Sequence, residues 1–169
     1  MKITGRNIKR RLYGLRNLPS RIARARYFRG HGVHSPFVYS LVRQVFMRSS
    51  LLEGDHRLYD ELLSRGVAKR RATELQNLMI HCSYSHYSID SVAGNISIAT
   101  AECEPHTLRL MEEQATNMGS TLCIMSPYNG RERQMCCHEI IKAHQSTSID
   151  NRAYILLFNN HLPKQHFRI

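Results

Sequence analysis

From about residue 82 onward the apolar residues change period, and that change restricts the chain to a mixed architecture of strands and helices. Short β-like runs stand at Tyr87–Asp90 and Ile96–Ala101. Pro105 then opens a helix that carries Leu108, Met111, Ala115 and Met118 at helical spacing, and Gly119 closes it. Thr121–Met125 is a compact apolar strand. Asn129 followed by Glu132 has the spacing of a capping box for a helix bearing Met135, Ile140 and Ile141. The run Ile149–Phe158 reads as one long strand, 159–163 as a turn and Gln165–Ile169 as a final strand. Strand, helix, strand, helix and a terminal hairpin is the order of a parallel α/β sheet with an antiparallel edge.

The chain before this region is helical in pattern. Pro19-Ser20 starts a short helix over 21–29 that Gly30 stops, and Gly30 to His34 is a tight connection. Ser35-Pro36 supplies an N-cap followed by proline at the first helical position. The next helix puts Phe37, Val38, Leu41, Val42, Val45 and Phe46 on one stripe, which must bury against something. Two more helices follow, one with Leu58, Tyr59, Leu62 and Leu63 ended by Gly66. The second runs from about Ala68 to His81 with Ala72, Leu75, Leu78 and Met79 inward.

Charge divides the chain more sharply than hydropathy does. No Asp or Glu precedes Glu53, whereas twelve Lys and Arg do; from Glu53 onward twelve basic residues face thirteen acidic ones. The formal net charge of +11 is therefore a property of the first third. Residues 1–52 read as a basic helical arm and 53–169 as the α/β domain. Such a one-sided field favours anionic partners. Within the arm, Lys9, Arg10, Arg11, Arg21, Arg24, Arg26 and Arg29 are the candidate polyanion contacts, with Tyr27 and Phe28 interleaved for base stacking.

Other function classes find less support. No apolar run approaches the roughly 18 residues of a membrane span, and the first residues lack the apolar core of a secretory signal. The five cysteines are odd in number, irregular in spacing and without a C-x-x-C pair, so free thiols in a reducing cytoplasm are expected. His31 with His34, Cys82 with His86, and Cys136-Cys137-His138 lack paired metal-ligand spacing, and no metal is expected. The Ser, Cys and His residues over 81–86 read as a polar strand entrance, not as a nucleophile with its base. Gly30 and Gly32 precede a helix without following a strand, so they do not make a dinucleotide cradle.

Two motifs carry a family resemblance. Gly30-His31-Gly32-Val33-His34-Ser35-Pro36-Phe37-Val38-Tyr39 and the terminal Leu162-Pro163-Lys164-Gln165-His166-Phe167-Arg168-Ile169 resemble the ends of a bacterial, Bacteroidetes-type family of SAM-dependent methyltransferase-like proteins. The signature residues are His31, Gly32, His34, Ser35, Pro36, Lys164, Gln165, His166 and Phe167. Arg131 to Met135 and Ser148 to Asp150 match where that family has its last helix and the start of its final hairpin. The resemblance implies a Rossmann-like, methyltransferase-type sheet.

Departures from the family bear on function. Its members have a Gly-rich loop after the first strand, whereas Cys82 to Asp90 contains no glycine. Glu102 stands where the acidic residue that holds ribose could fall, but Glu104 to Arg109 aligns better with the helix after the family's fourth strand. Ser126-Pro127-Tyr128 is similar to the Asn/Asp-Pro-Pro-Tyr motif of amino-methyltransferases, but Ser replaces the amide or acid and one proline is missing, so it reads as a turn. The chain is also short for such an enzyme. Deleting the family's second and third strands from its order 3-2-1-4-5-7-6 leaves about five strands, 1-4-5-7-6, and a cofactor crevice that has lost one wall. The expectation is a degenerate member without catalytic residues or cofactor that works as a binding module. An active SAM-dependent methyltransferase is the first alternative. A protein-interaction subunit, pairing with a second copy through the helix over 36–47, is the other.

Overall fold

A computed structural model describes residues 34–169. The helix expected over 21–29, the candidate contacts Lys9, Arg10, Arg11, Arg21, Arg24, Arg26 and Arg29, and the signature residues His31 and Gly32 lie outside the described residues.

Helix α1 (Pro36–Leu41) begins as its sequence requires, with Ser35 accepting a hydrogen bond from the Val38 amide at 3.4 Å and Pro36 in the first turn. It runs on into a π-helical stretch, Val42–Phe46. Helix α2 (Arg57–Ser64) ends at Gly66, whose left-handed φ of 77° reverses the chain into α3 (Lys69–His81). The sheet follows, built from β1 (Tyr87–Ile89), β2 (Ile96–Ala99), β3 (Thr121–Met125), β4 (Thr147–Asp150), β5 (Tyr154–Leu157) and β6 (Gln165–Arg168). Helix α4 (Pro105–Met118) joins β2 to β3, and α5 (Arg131–Ala143) joins β3 to β4.

The six strands lie in the order β1-β2-β3-β5-β4-β6. β1, β2 and β3 are mutually parallel, β5 runs antiparallel between β3 and β4, and β6 lies parallel to β4 at the edge. The protein is thus α/β, with a mixed sheet and five α-helices among the described residues.

Alternation along the strands sorts side chains onto two cores. Ile96, Ile98, Cys123, Met125, Tyr154 and Leu156 face a layer made by α1, α2 and α3. Leu122, Ile124, Ile155 and Leu157 face α4 and α5. The central strands are buried on both faces and read as continuous apolar runs for that reason.

Several expectations are corrected. The run 149–158 is two strands: Asn151 Oδ1 accepts the amides of Ala153 (3.1 Å) and Tyr154 (3.0 Å), Asp150 Oδ1 accepts that of Arg152 (2.7 Å), and the chain folds back. Asx-type side-chain bonds to backbone outweigh strand propensity there. The antiparallel hairpin is therefore β4–β5, and the last strand does not pair back on its predecessor. The sheet has six strands, not about five. Asn129 caps nothing: Gly130 is the N-cap of α5, with no side-chain bond. Met118 and Met135 point outward, 57% and 55% exposed, while Cys136 and Cys137 take the buried positions.

The stripe expected to meet a second copy is already covered. Val38, Leu41 and Val45 are fully buried in one core with Leu58, Leu75 and Tyr154. Phe37 packs edge-on against Phe158 with ring centroids 5.0 Å apart. Freeing this face would forfeit roughly 1.5–3 kcal/mol per large apolar side chain. Helix α1, before residue 52, and the helices after it share this core.

Candidate functional site

The carboxyl ends of β2 and β3 and the start of β5 open onto a cleft of about 640 Å³. This is where open α/β sheets hold their ligands. Its far side is the turn from α2 to α3, residues 65–68, and the first turn of α3. The β-strand side supplies Thr100 and Glu102 after β2, Ser126, Tyr128 and Asn129 after β3, and Arg152 before β5. Met125, Ala153 and Val67 give the cleft apolar surface.

Its charged lining is Arg65, Arg71 and Arg152 against Glu102. Arg71 is anchored from behind: its Nη1 lies 2.6 Å from Oε2 of Glu74, a carboxylate only 2% exposed. Arg70 shares the same carboxylate at 3.0 Å, and the buried Tyr154 hydroxyl donates to it at 3.1 Å. Two guanidinium groups on one carboxylate leave this corner a net positive charge. Arg65 pairs with Glu61 at 3.0 Å on the surface, a contact worth little in water. Arg152 makes no ion pair among the described residues.

Two backbone positions on the rim are held in the left-handed region without glycine: Ser126 at φ 48° and Arg152 at φ 72°. One bond links the two segments, the Ser126 amide donating to the Ala153 carbonyl at 2.8 Å. Ser126 to Asn129 forms a turn, closed by the Asn129 amide on the Ser126 carbonyl at 3.0 Å. Tyr128 reaches over it to donate to the buried Asp150.

Arg133 of α5 fastens the loops behind the cleft. It is 5% exposed and donates to the carbonyls of Cys103, Thr100 (2.7 Å) and Met125 (2.9 Å). These carbonyls sit at the ends of β2 and β3, so a planar fork of donors ties two strand ends to one helix. Its Nε has no partner among the described residues.

Thr100 is also tied to β1. The Asp90 carboxylate accepts the Thr100 amide at 2.7 Å and its hydroxyl at 3.0 Å. Between Ile89 and Ile96 the chain returns to the start of the next parallel strand through residues 90–95 alone, with no helix. Gly94 (φ 77°) lies against His86 so closely that a Cβ would stand 2.8 Å from the His86 Cβ and carbonyl oxygen. Asn95 Oδ1 accepts the Ser85 and His86 amides at 3.0 and 3.1 Å.

None of the signature residues His34, Ser35, Pro36, Lys164, Gln165, His166 and Phe167 lines the cleft. His166 Nδ1 bonds the Ser148 hydroxyl at 2.9 Å, Lys164 donates to the Lys142 carbonyl at 2.9 Å, and Phe167 packs on the first core. Glu102 and Tyr128 are in the cleft; Arg65, Arg71 and Arg152 were not anticipated as site residues. The stretch Arg65-Gly66-Val67-Ala68-Lys69-Arg70-Arg71, basic on both sides of a helix start, is the signal that could have found two of them.

The thiol and imidazole groups do not assemble into a reactive centre. Burial pushes the Cys82 and Cys137 thiols up to about 11, the Cys123 thiol higher still, and the Tyr84 hydroxyl up to about 12. His81 Nε2 meets the Ser40 hydroxyl at 3.1 Å, but that hydroxyl donates to the Phe37 carbonyl at 2.8 Å, so the histidine is donor and not base. No group of three or more His, Cys, Asp or Glu able to hold a metal occurs among the described residues. Likewise, no described helix is long and apolar enough to cross a membrane. No family model matches the chain, and neither curated proteins nor solved structures yield a match.

Proposed function

We propose that this chain is a methyltransferase-like domain that has lost SAM-dependent catalysis and serves as a binding module for a polyanion, nucleic acid among them. One observation carries the reading: residues 90–95 alone connect the parallel strands β1 and β2. Parallel neighbours ordinarily need a crossover of about a dozen residues or more, usually with a helix. Without that helix or a glycine-rich turn, the carboxyl end of β1 offers a nucleotide no amide cradle and no second wall. Asp90, the residue at that end, is spent on Thr100.

The family part of the reading draws on β5, an antiparallel strand inserted between the parallel strands β3 and β4, as in the last strands of methyltransferase sheets. The terminal motifs support it too; β6 on the far edge is a departure. The polyanion part draws on charge. Twelve Lys and Arg without one acidic residue precede Glu53, and Lys9, Arg10, Arg11, Arg21, Arg24, Arg26 and Arg29 are the candidate contacts. Five unpaired thiols fit a reducing cytoplasm. In this reading no cofactor is held.

Two measurements test it. Retention on heparin and on single-stranded RNA is expected for the full chain, to fall steeply with salt as counterions are released, and to vanish on deleting residues 1–29. Calorimetric titration with SAM is expected to give no heat at about millimolar ligand. A saturable SAM isotherm would make the chain an enzyme candidate again, and salt-independent retention would remove the polyanion reading.

A further inference from the structure

We propose that the cleft at the carboxyl end of the sheet is a binding site for a small organic phosphate. Its anion would sit among Arg65, Arg71 and Arg152, and its apolar part would cover Met125, Ala153 and the ring of Tyr128. The inference makes no use of the N-terminal arm and stands or falls independently of the function proposed above.

The guanidinium groups carry the argument. From Glu53 onward basic and acidic residues nearly balance, twelve against thirteen, yet this cleft is lined by three arginines against one glutamate, with Glu61 pairing Arg65 at 3.0 Å from the surface. Glu74 cancels only one of the two charges of Arg70 and Arg71. Because Glu74 is buried and also holds the Tyr154 hydroxyl, it fixes Arg71 in place, so the cost of ordering that side chain is met before a ligand arrives. Arg152 brings a charge with no acidic partner among the described residues. Planar guanidinium forks match phosphate oxygens in pairs.

The start of α3 adds to this field. Ala68, its N-cap, lines the cleft and offers no side-chain cap. The Lys69 and Arg70 amides therefore have no acceptor among the described residues and present donors and the positive end of a 13-residue helix.

The β4–β5 turn sets Arg152 at the rim: the Asp150 carboxylate accepts its amide at 2.7 Å, and its side chain is left exposed beside the cleft.

Size and lining narrow the ligand. About 640 Å³ is the volume of a small-molecule site. Apolar surface from Val67, Met125 and Ala153 beside the arginines calls for an apolar body joined to the anion, which bare phosphate lacks. A phosphoryl group could also come from a nucleic acid backbone, but a concave site of this size favours the compact source.

The test follows the amide signals of Lys69 and Arg70 by two-dimensional NMR on the full chain. Phenyl phosphate, inorganic phosphate and a single-stranded oligonucleotide are titrated in turn. Both small anions are expected to shift these amides, with phenyl phosphate binding about tenfold more tightly. Arg152→Gly keeps a residue suited to φ 72° and is expected to fold with an undiminished Tm. It should nonetheless bind phenyl phosphate at least about tenfold more weakly. The surface variant Arg65→Ala should weaken binding by a smaller factor. No shift at about 10 mM anion, unchanged affinity in Arg152→Gly, or a response to the oligonucleotide alone would each overturn the proposal.

Discussion

The hydroxyl of Tyr154 donates to the carboxylate of Glu74 at 3.1 Å in the interior, joining the first residue of β5 to the middle of α3. Burial pushes the tyrosine hydroxyl far up, with the Glu74 charge adding to the effect, so it remains a donor throughout the accessible pH range. The same carboxylate holds Arg71 at the cleft wall. One buried acid thus couples helix, sheet and site.

Glu74→Gln should therefore destabilise the fold by about 1–2 kcal/mol, because the guanidinium groups it would leave unpaired are 75% and 30% exposed and remain solvated. Tyr154→Phe should cost about 1–1.5 kcal/mol, the worth of one hydrogen bond. Urea denaturation followed by circular dichroism measures both. A Glu74→Gln midpoint equal to that of the parent protein would mean that the carboxylate is not needed to tie Arg71 and Tyr154 together.

The short crossover between β1 and β2 depends on Gly94. At φ 77° a side chain is strained, and its Cβ would stand 2.8 Å from backbone and side chain of His86. Gly94→Ala is expected to cost about 2 kcal/mol or more through both effects. Hydrogen exchange should show the β1 amides opening first, because β1 is a three-residue edge strand with a single neighbour.

His144 makes stability depend on pH. It is buried, which lowers its pKa below the ordinary value, although bonds to the backbone of Phe158 and Thr147 partly offset the burial. The unfolded chain, with an ordinary imidazole near about 6.5, then binds the proton more readily than the folded one. Stability from this residue is present above that value and is lost as pH falls through it toward the lower folded value. Denaturation midpoints should drop between pH 7.5 and 5.5, and His144→Gln should flatten that part of the profile; an equal slope in both proteins rejects the assignment.

Thiol chemistry should be slow in the native state. Cys123 is fully buried and raised furthest, and the Cys82 and Cys137 thiols stand at about 11, so little thiolate exists at pH 8. Iodoacetamide followed by mass spectrometry is expected to modify the five cysteines together after denaturant is added, and hardly at all before. Rapid native labelling of Cys137 would contradict the packing of α5 on the sheet.

Local signals in the chain were enough for the elements and their faces. The cap at Ser35, the stop at Gly66, the left-handed closure at Gly119 and the strand Thr121–Met125 all depend on neighbours within a few residues. The change of period near residue 82 was likewise enough for the α/β class. Where two local preferences compete, as over 149–158, the apolar run pointed to one strand, while Asp150 and Asn151 bind backbone amides and make two.

The site was decided only by tertiary structure. Arg65, Arg71 and Arg152 are separated by up to most of the α/β region, and they converge because residues 65–71, the ends of β2 and β3 and the β4–β5 turn meet at one end of the sheet. Strand order, the burial of Glu74 and the anchoring by Arg133 are likewise outcomes of packing between distant segments. Periodicity reports which face of an element avoids water; it carries no information on which other element will cover that face.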